Sequence, residues 1–366
     1  MAHVFVAPHP DDVALSCGGL IASLRELGQN VTIITAYSGA GLTNGEVPTP
    51  YQREALGFGN KAVWPVSEAF NRANLTNDYP VYPDDSTGEV VPAWTALPDN
   101  LEATQEEADQ AAKRFWQRAS WYRRANIHNE PIGDRPLIDD QPNQGAILTE
   151  EVVEAAGAGD LMATRRLEDE RYAYFAEASI VFLDLPDAVF RGYEGEGELL
   201  GMPRADDPSP AEILRREIAR LEPQKVYFPL GVGSHVDHQL VREAGMSLLA
   251  DGRRWVMPGP EWAGIVTFYE DFPYSWWHPF DLLQELPPQT VASLPPDVSL
   301  WPQYADISDQ VERKITGLTI YRSQIPRLFG KTSDMASAVR AFSARVAALG
   351  GFEGTRAERY WATTRV

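Results

Sequence analysis

Residues 3–37 read HVFVAPHPDDVALSCGGLIASLRELGQNVTIITAY, and this stretch decides the fold. His3 to Ala7 is a short apolar run bounded by proline, which predicts a buried strand. From Val13 to Leu27 the leucines Leu20, Leu24 and Leu27 recur at helical spacing with Ile21 beside them. Gly28 then supplies a C-terminal stop. Asn30 to Tyr37 is apolar and rich in β-branched residues, and so reads as a second strand. A strand–helix–strand unit of about 35 residues predicts a parallel sheet with a crossover helix.

The same rhythm returns further along. Leu161 to Ala178 predicts a helix, Ser179 to Leu183 a strand, Ala211 to Leu221 a helix, Val226 to Leu230 a strand and His238 to Ala250 a helix. Ile265 to Tyr269 gives one more strand, and helices are expected near Val311 to Tyr321 and Asp334 to Leu349. The expected fold class is α/β: a Rossmann-like three-layer sandwich with a mostly parallel sheet. Residues 43–158 break the rhythm. They are rich in Pro, Asn, Asp and Gly, yet hold Trp64, Trp94, Trp116, Trp121 and one helical stretch near Thr104 to Ala125. A structureless loop of that length is improbable in a compact domain. The expectation is one domain over 1–366, with 43–158 as an inserted lid or subdomain.

Composition bounds the function. The chain has 366 residues, 44% of them hydrophobic and 23% charged, which is ordinary for a globular protein. A formal net charge of −20 argues against nucleic acid or an anionic membrane surface as partner, and leaves a small-molecule substrate open. Cys17 is the single cysteine, so neither an internal disulfide nor a thiolate-rich metal site is possible. The start of the chain lacks a secretory h-region, and no run approaches the length of a membrane span. A cytoplasmic location and a possible homo-oligomer are the expectations.

Six histidines occur: His3, His9, His128, His235, His238 and His278. Three of them fall in two compact clusters with aspartate. Pro8-His9-Pro10-Asp11-Asp12 follows the first strand, and His235-Val236-Asp237-His238 follows the strand ending at Leu230 and the loop Gly231-Val232-Gly233-Ser234. Open α/β sheets bind ligands outside the carboxyl ends of their strands, so the clusters face one another if their strands are neighbours. Catalytic zinc takes three N or O ligands and leaves a position for water. His9, Asp12 and His238 are the expected ligands of Zn2+ or another divalent metal. Bound zinc brings the pKa of water to about 7, within reach of a carboxylate base, here Asp11. His235 is expected to face a substrate carbonyl as an imidazolium, with Asp237 on its far nitrogen. The plainer alternatives are turn chemistry, with Asp11 or Asp12 as helix N-cap, and a cap with surface histidines for the second cluster. His3 reads as a strand residue, and His128 and His278 as loop residues.

At PHPDD and HVDH the sequence resembles the PIG-L/LmbE-like family of zinc N-deacetylases. The resemblance extends over the first forty or so residues, roughly Leu161 to Tyr274, Lys314 to Leu328, and Ala357 to Trp361. It implies a Rossmann-like fold and zinc-dependent hydrolysis of an N-acetyl group on a glucosamine-type sugar. The implied roles are His9, Asp12 and His238 on zinc, Asp11 as base, and His235 with Asp237 as electrophilic partner. It further implies that Arg165 and Asp187 bind substrate; an Arg165–Glu168 surface ion pair and a turn at Asp187 are the ordinary alternatives. Val13 stands where many relatives have glutamate, and Gly233 where some carry a tyrosine that stabilises the oxyanion. Tyr269 and Tyr274 are the replacements at hand, with core packing as the alternative for each. Rival functions are an amidase or esterase acting on a larger substrate at the same metal site, and a non-catalytic Rossmann-like binding module. The absence of a Gly-x-Gly-x-x-Gly loop after the first strand speaks against the last.

Overall fold

The computed structural model describes residues 1–41, 45–58, 81–83, 90–92, 158–251, 262–277, 286, 288–352 and 354–365. The chain divides into two compact units, residues 1–77 with 156–366, and residues 78–155. In the second unit Val81–Pro83 pairs antiparallel with Val90–Pro92. The helix expected near Thr104 to Ala125 lies outside the described residues, as do His128, His278 and most of the expected insertion.

In the first unit β1 (Ala2–Ala7), α1 (Asp12–Glu26) and β2 (Asn30–Thr35) form the opening strand–helix–strand. There follow α2 (Ala158–Phe175), β3 (Ser179–Phe182), α3 (Ala211–Leu221), β4 (Lys225–Pro229), α4 (Val236–Asp251) and β5 (Val266–Tyr269). The chain closes with β6 (Val298–Asp306), α5 (Val311–Leu318), α6 (Thr332–Leu349) and β7 (Ala357–Arg365). Among the described residues the sheet runs β3-β2-β1-β4-β5-β7-β6. The pairs from β3 to β5 are parallel, whereas β7 is antiparallel to both β5 and β6. The fold is thus the expected α/β class with a mostly parallel sheet. The antiparallel pair β6–β7 was not read from the sequence.

Strand order places the site. Strand β1 has β2 on one side and β4 on the other, so the connections leave in opposite directions at that point. Such a topological switch point opens a crevice at the strands' carboxyl ends. Phe5 pairs with Tyr227, so the turn after Ala7 and the loop after Pro229 emerge side by side. The condition set by the sequence, that the two strands be neighbours, is met.

The central parallel strands β1, β2, β4 and β5 are largely buried on both faces, which is why they read as apolar runs. Phe5, Val6, Ile33, Ile34, Val226, Phe228, Val266 and Phe268 are all fully buried. Burial of such side chains contributes about 1.5–3 kcal/mol each. Helix α1 is enclosed over its first two turns, from Asp12 to Gly19. A Cβ on Gly19 would lie 2.7 Å from Ile307, so glycine is what allows this approach. Glu358 of β7 accepts hydrogen bonds from the Gly19 and Leu20 amides at 2.9 Å each, from Lys314 Nζ at 2.7 Å and from Tyr360 Oη at 2.7 Å. This buried carboxylate ties the last strand to the helix that follows the PHPDD turn.

Candidate metal centre and active-site cleft

The PHPDD turn carries its first functional side chain on strained backbone. Asp11 has φ 105° and ψ −33°, a conformation that costs a non-glycine residue about 1–3 kcal/mol. Its side chain makes no capping bond to α1, so the plain N-cap reading of Asp11 fails. Neighbours hold the turn: Arg165 Nη2 donates to the Pro10 carbonyl at 3.2 Å, and the Asp11 amide donates to buried Asp169. Asp169 is itself fixed by Thr35 Oγ1 and Tyr321 Oη, each at 2.7 Å. Asp12 turns back instead, accepting from the His9 amide at 2.8 Å.

Asp12 Oδ2 then sits between two imidazoles, 3.2 Å from His9 Nδ1 and 3.3 Å from His238 Nε2. Tetrahedral zinc with ligands at about 2.0–2.1 Å has ligand–ligand edges of about 3.3–3.4 Å, so each of these two separations is the length of one such edge. The far nitrogens are also held. His9 Nε2 bonds Asp237 Oδ2 at 2.9 Å, and His238 Nδ1 bonds Asp271 Oδ1 at 2.6 Å. A carboxylate on the far nitrogen fixes the tautomer and turns the other lone pair toward a metal. All five side chains are buried. Nitrogens of His9, His235 and His238 also lie within 4.8 Å of one another, as do ligand atoms of His9, Asp187 and Asp237. Within these groups Asp237 is already engaged by two other donors and His235 Nδ1 is occupied.

The electrostatics point the same way. Burial alone would lower His9, but Asp187, Asp12 and Asp237 outweigh it and raise the pKa to about 9. Burial likewise opposes charge on His238, yet Asp12 and Asp271 hold it well above the usual histidine range. Asp12 is held well below the carboxylate range against its own burial, chiefly by His238 and His9. The pocket therefore demands positive charge, which protons or a cation can supply. Asp11 differs. Burial and the adjacent Asp12 charge push it up to about 8, against the pull of Arg165 and His9.

Two expectations about the second cluster need correction. Asp237 does not hold the far nitrogen of His235. Its carboxylate accepts from His9 Nε2, from the Ala188 amide at 3.1 Å and from Arg191 Nη2 at 2.6 Å. Residues two apart at a helix start do not share a face, so Asp237 and His235 point apart. His235 is not placed as an imidazolium either. Its Nδ1 accepts from the Asp237 amide at 3.2 Å and so carries no proton, while burial and the charge on His9 hold its pKa well below 6.5. The neutral ring offers Nε2–H as a donor.

Arg165 and Asp187 both reach the site. Arg165 is 5% exposed, lies 3.7 Å from Asp11 Oδ1 and 3.5 Å from Asp187 Oδ2, and so is no surface ion-pair residue. Glu168, its expected surface partner, accepts instead from the Ser323 amide and hydroxyl. Asp187 is a turn residue, with Oδ1 accepting from the Val189 amide at 3.2 Å, and its Oδ2 lies 3.6 Å from His9 Nε2. Tyr269 is a core residue that donates to the Val6 carbonyl at 2.9 Å. Tyr274 lies elsewhere: a Cβ on Gly233 would be 2.3 Å from Tyr274 Cδ1, so its ring fills the space a larger residue 233 would need. The Tyr274 ring meets His238 edge-on with centroids 5.5 Å apart.

His9, Asp11, Asp12, Arg165, Asp187, His235, His238 and Tyr274 line one cleft that opens to solvent. Leu15, Val189, Leu199, Pro273 and Leu328 give it apolar walls, and Arg165, Gln324, Arg327 and Tyr274 polar ones. Burial lowers Arg327 to about 10, against the pull of Tyr274. Sequence reasoning missed Asp271, Arg191 and Arg327. Asp271 carried a usable signal, an acid just past the carboxyl end of β5. Arg191 and Arg327 carried none, since each reaches the site from an irregular or short segment.

Comparison with known proteins places similar chains beside this one. Residues 4–75 match the PIG-L family model, described as GlcNAc-PI de-N-acetylase. The match covers β1, α1 and β2 with the PHPDD turn. A 2'-N-acetylparomamine deacetylase from Streptomyces fradiae is 33% identical over 173 residues, 46% of this chain and 56% of that protein. A second, from Niallia circulans, is 27% identical over 149 residues, 38% of this chain and 50% of its own length. The chain thus spans about half the length of these curated relatives. Among solved structures, the A40926 pseudoaglycone deacetylase Dbv21 aligns with a TM-score of 0.52 and 18% identity, covering 99% of this chain and 97% of that one. The zinc-inhibited form of teicoplanin deacetylase Orf2 aligns with a TM-score of 0.53 and 16% identity, covering 100% and 99%. At such identities the likeness establishes the fold.

Proposed function

We propose that this PIG-L-type chain is a zinc-dependent amide hydrolase that removes an N-acetyl or other acyl group from an amino sugar or glycoconjugate. The observation that carries the reading is the placement of Asp12 Oδ2 between His9 Nδ1 and His238 Nε2, with buried carboxylates on both far nitrogens. His9, Asp12 and His238 would hold the cation. When bound, zinc would supply Lewis acidity and acidify a water molecule.

The chain's own residues supply the rest. Asp11 faces the cleft beside the ligands, and its raised pKa of about 8 suits a group that takes and returns a proton near neutral pH. His235 contributes Nε2–H as a neutral donor to the oxygen that gains charge as the carbonyl is attacked. Tyr274 lines the same cleft and is a second candidate donor, supplied from the loop after β5 rather than from position 233. Arg165 and Asp187 lie opposite in charge and 3.5 Å apart, suited to a hydroxyl-bearing sugar. The deacetylase names of the relatives support an amide-linked acetyl as the bond cut.

The test is release of free amine from N-acetylated amino sugars, 2'-N-acetylparomamine included, screened beside larger amides and esters. Asp11→Ala should keep zinc and lose about 10²–10⁴-fold in rate. His238→Ala should lose both zinc and activity. Wild-type turnover by Asp11→Ala would remove its assigned role, and preference for esters or large amides would replace the substrate class.

A further inference from the structure

We infer that Arg191 is a positioning residue for the metal centre, acting through Asp237 on His9. The inference rests on the proposed cation site and concerns a residue that does not line the cleft. Arg191 follows the short 3-10 turn Ala188–Phe190, and its side chain is 8% exposed. Its guanidinium forks onto Asp207, with Nε to Oδ1 at 2.7 Å and Nη2 to Oδ2 at 2.9 Å. Nη2 also donates to Asp237 Oδ1 at 2.6 Å, and Nη1 to the Pro186 carbonyl at 2.7 Å. The Arg191 Cζ lies over two aromatic rings, 4.7 Å from the Tyr37 centroid and 5.7 Å from that of Tyr193. Tyr193 Oη donates in turn to Asp207 Oδ2 at 2.8 Å.

The consequence lies in how Asp237 is shared. It is wholly buried, and its Oδ1 is taken by Arg191 while Oδ2 receives the Ala188 amide and His9 Nε2. With Oδ1 clamped, the carboxylate cannot rotate away from the imidazole. His9 therefore keeps Nε2–H on Asp237 and its Nδ1 toward Asp12 and the proposed cation site. A guanidinium can make the fork to Asp207 and the bond to Asp237 together, whereas an ammonium is a point charge that cannot. His238 has a separate support in Asp271, which Arg191 does not touch. The chain Asp207–Arg191–Asp237–His9 thus serves one ligand of the proposed cation and leaves the other alone.

The experiment measures zinc affinity of the metal-free protein by chelator competition, alongside its melting temperature. It uses wild type, Arg191→Lys, Asp237→Asn, Asp271→Asn and the two doubles with Arg191→Lys. Loss of an outer partner of a metal ligand typically weakens binding about 10–100-fold. Arg191→Lys should fall in that range while the melting temperature of the metal-free protein stays within a few degrees of wild type. Its effect should be largely absent in the Asp237→Asn background and should multiply in full with Asp271→Asn. Should Arg191→Lys fail to fold, Asp207→Asn replaces it, with a smaller loss in the same direction. The inference is overturned if the folded variant binds zinc within about twofold of wild type, or if its effect multiplies in full with Asp237→Asn. A wild-type protein that takes up no zinc would overturn the cation site itself, a different result from these.

Discussion

Replacing Gly233 with alanine tests how the cleft is built. Gly233 has φ +81°, and the new Cβ would stand 2.3 Å from Tyr274 Cδ1, 2.6 Å from Cγ and 2.9 Å from its Cβ. Carbon atoms in contact prefer about 3.5–4.0 Å, so the overlap exceeds 1 Å and falls on the stem of the ring, not its flexible end. Left-handed backbone costs an alanine about 1–2 kcal/mol. Overpacking adds about 1–3 kcal/mol, for a total loss of about 2–5 kcal/mol. Tyr274 must swing away from His238, so activity on the N-acetylated substrate should fall with stability. Urea unfolding with unchanged m-value reads the loss directly. Gly28→Ala is the control, because Gly28 has φ +69° with nothing within 4 Å of its would-be Cβ. It should show the backbone cost alone. A Gly233→Ala protein no less stable than Gly28→Ala would refute the claim that Tyr274 occupies this space.

Three further outcomes are expected. Asp271→Asn removes the carboxylate on His238 Nδ1 and should weaken zinc about 10–100-fold by chelator competition, with the fold kept by circular dichroism. Zinc uptake should depend on pH with a definite sign. His9 is raised to about 9 and His238 is raised too, so at neutral pH the cation must displace protons. Apparent affinity should climb as pH rises from neutrality toward 9, and calorimetry in buffers of different ionisation heat should count more than one proton released near pH 7. Lys314→Met leaves Glu358 buried without its charged partner. Breaking such a pair costs about 3–5 kcal/mol, and the amides of Gly19 and Leu20 should hold the loss near the lower end, read by thermal unfolding. Pairing it with Glu358→Gln should recover part of the loss.

The elements that set the site were legible because each obeys one strong local rule. Strands β1, β2, β4 and β5 are largely buried on both faces and read as apolar runs, and α3 matched its expected bounds residue for residue. His9, Asp12 and His238 do come together in the structure, and the first two stand out in the sequence because a histidine and an acid three residues apart, just past a strand, is a local pattern. Strands β6 and β7 were hidden because β6 carries Pro302 and alternates irregularly between buried and exposed, while β7 mixes charge with aromatics. The tautomer of His235 and the true partner of Asp237 were hidden for another reason. Spacing alone tells that residues two apart do not share a helix face, but the partners themselves, His9 for the Asp237 carboxylate and the Asp237 amide for His235 Nδ1, come from the tertiary fold. Arg191 is the extreme case, since its role depends on Asp207 and Asp237 meeting from separate segments.

His9, Asp12 and His238 are proposed to share one cation. Titrating metal-free protein with zinc tests this most directly, with His9→Ala and His238→Ala run in parallel. One equivalent per chain should bind to the wild type, and either substitution should abolish tight uptake while leaving the far-ultraviolet circular dichroism unchanged. Uptake that survives both substitutions in a folded protein, or none in the wild type, would contradict it.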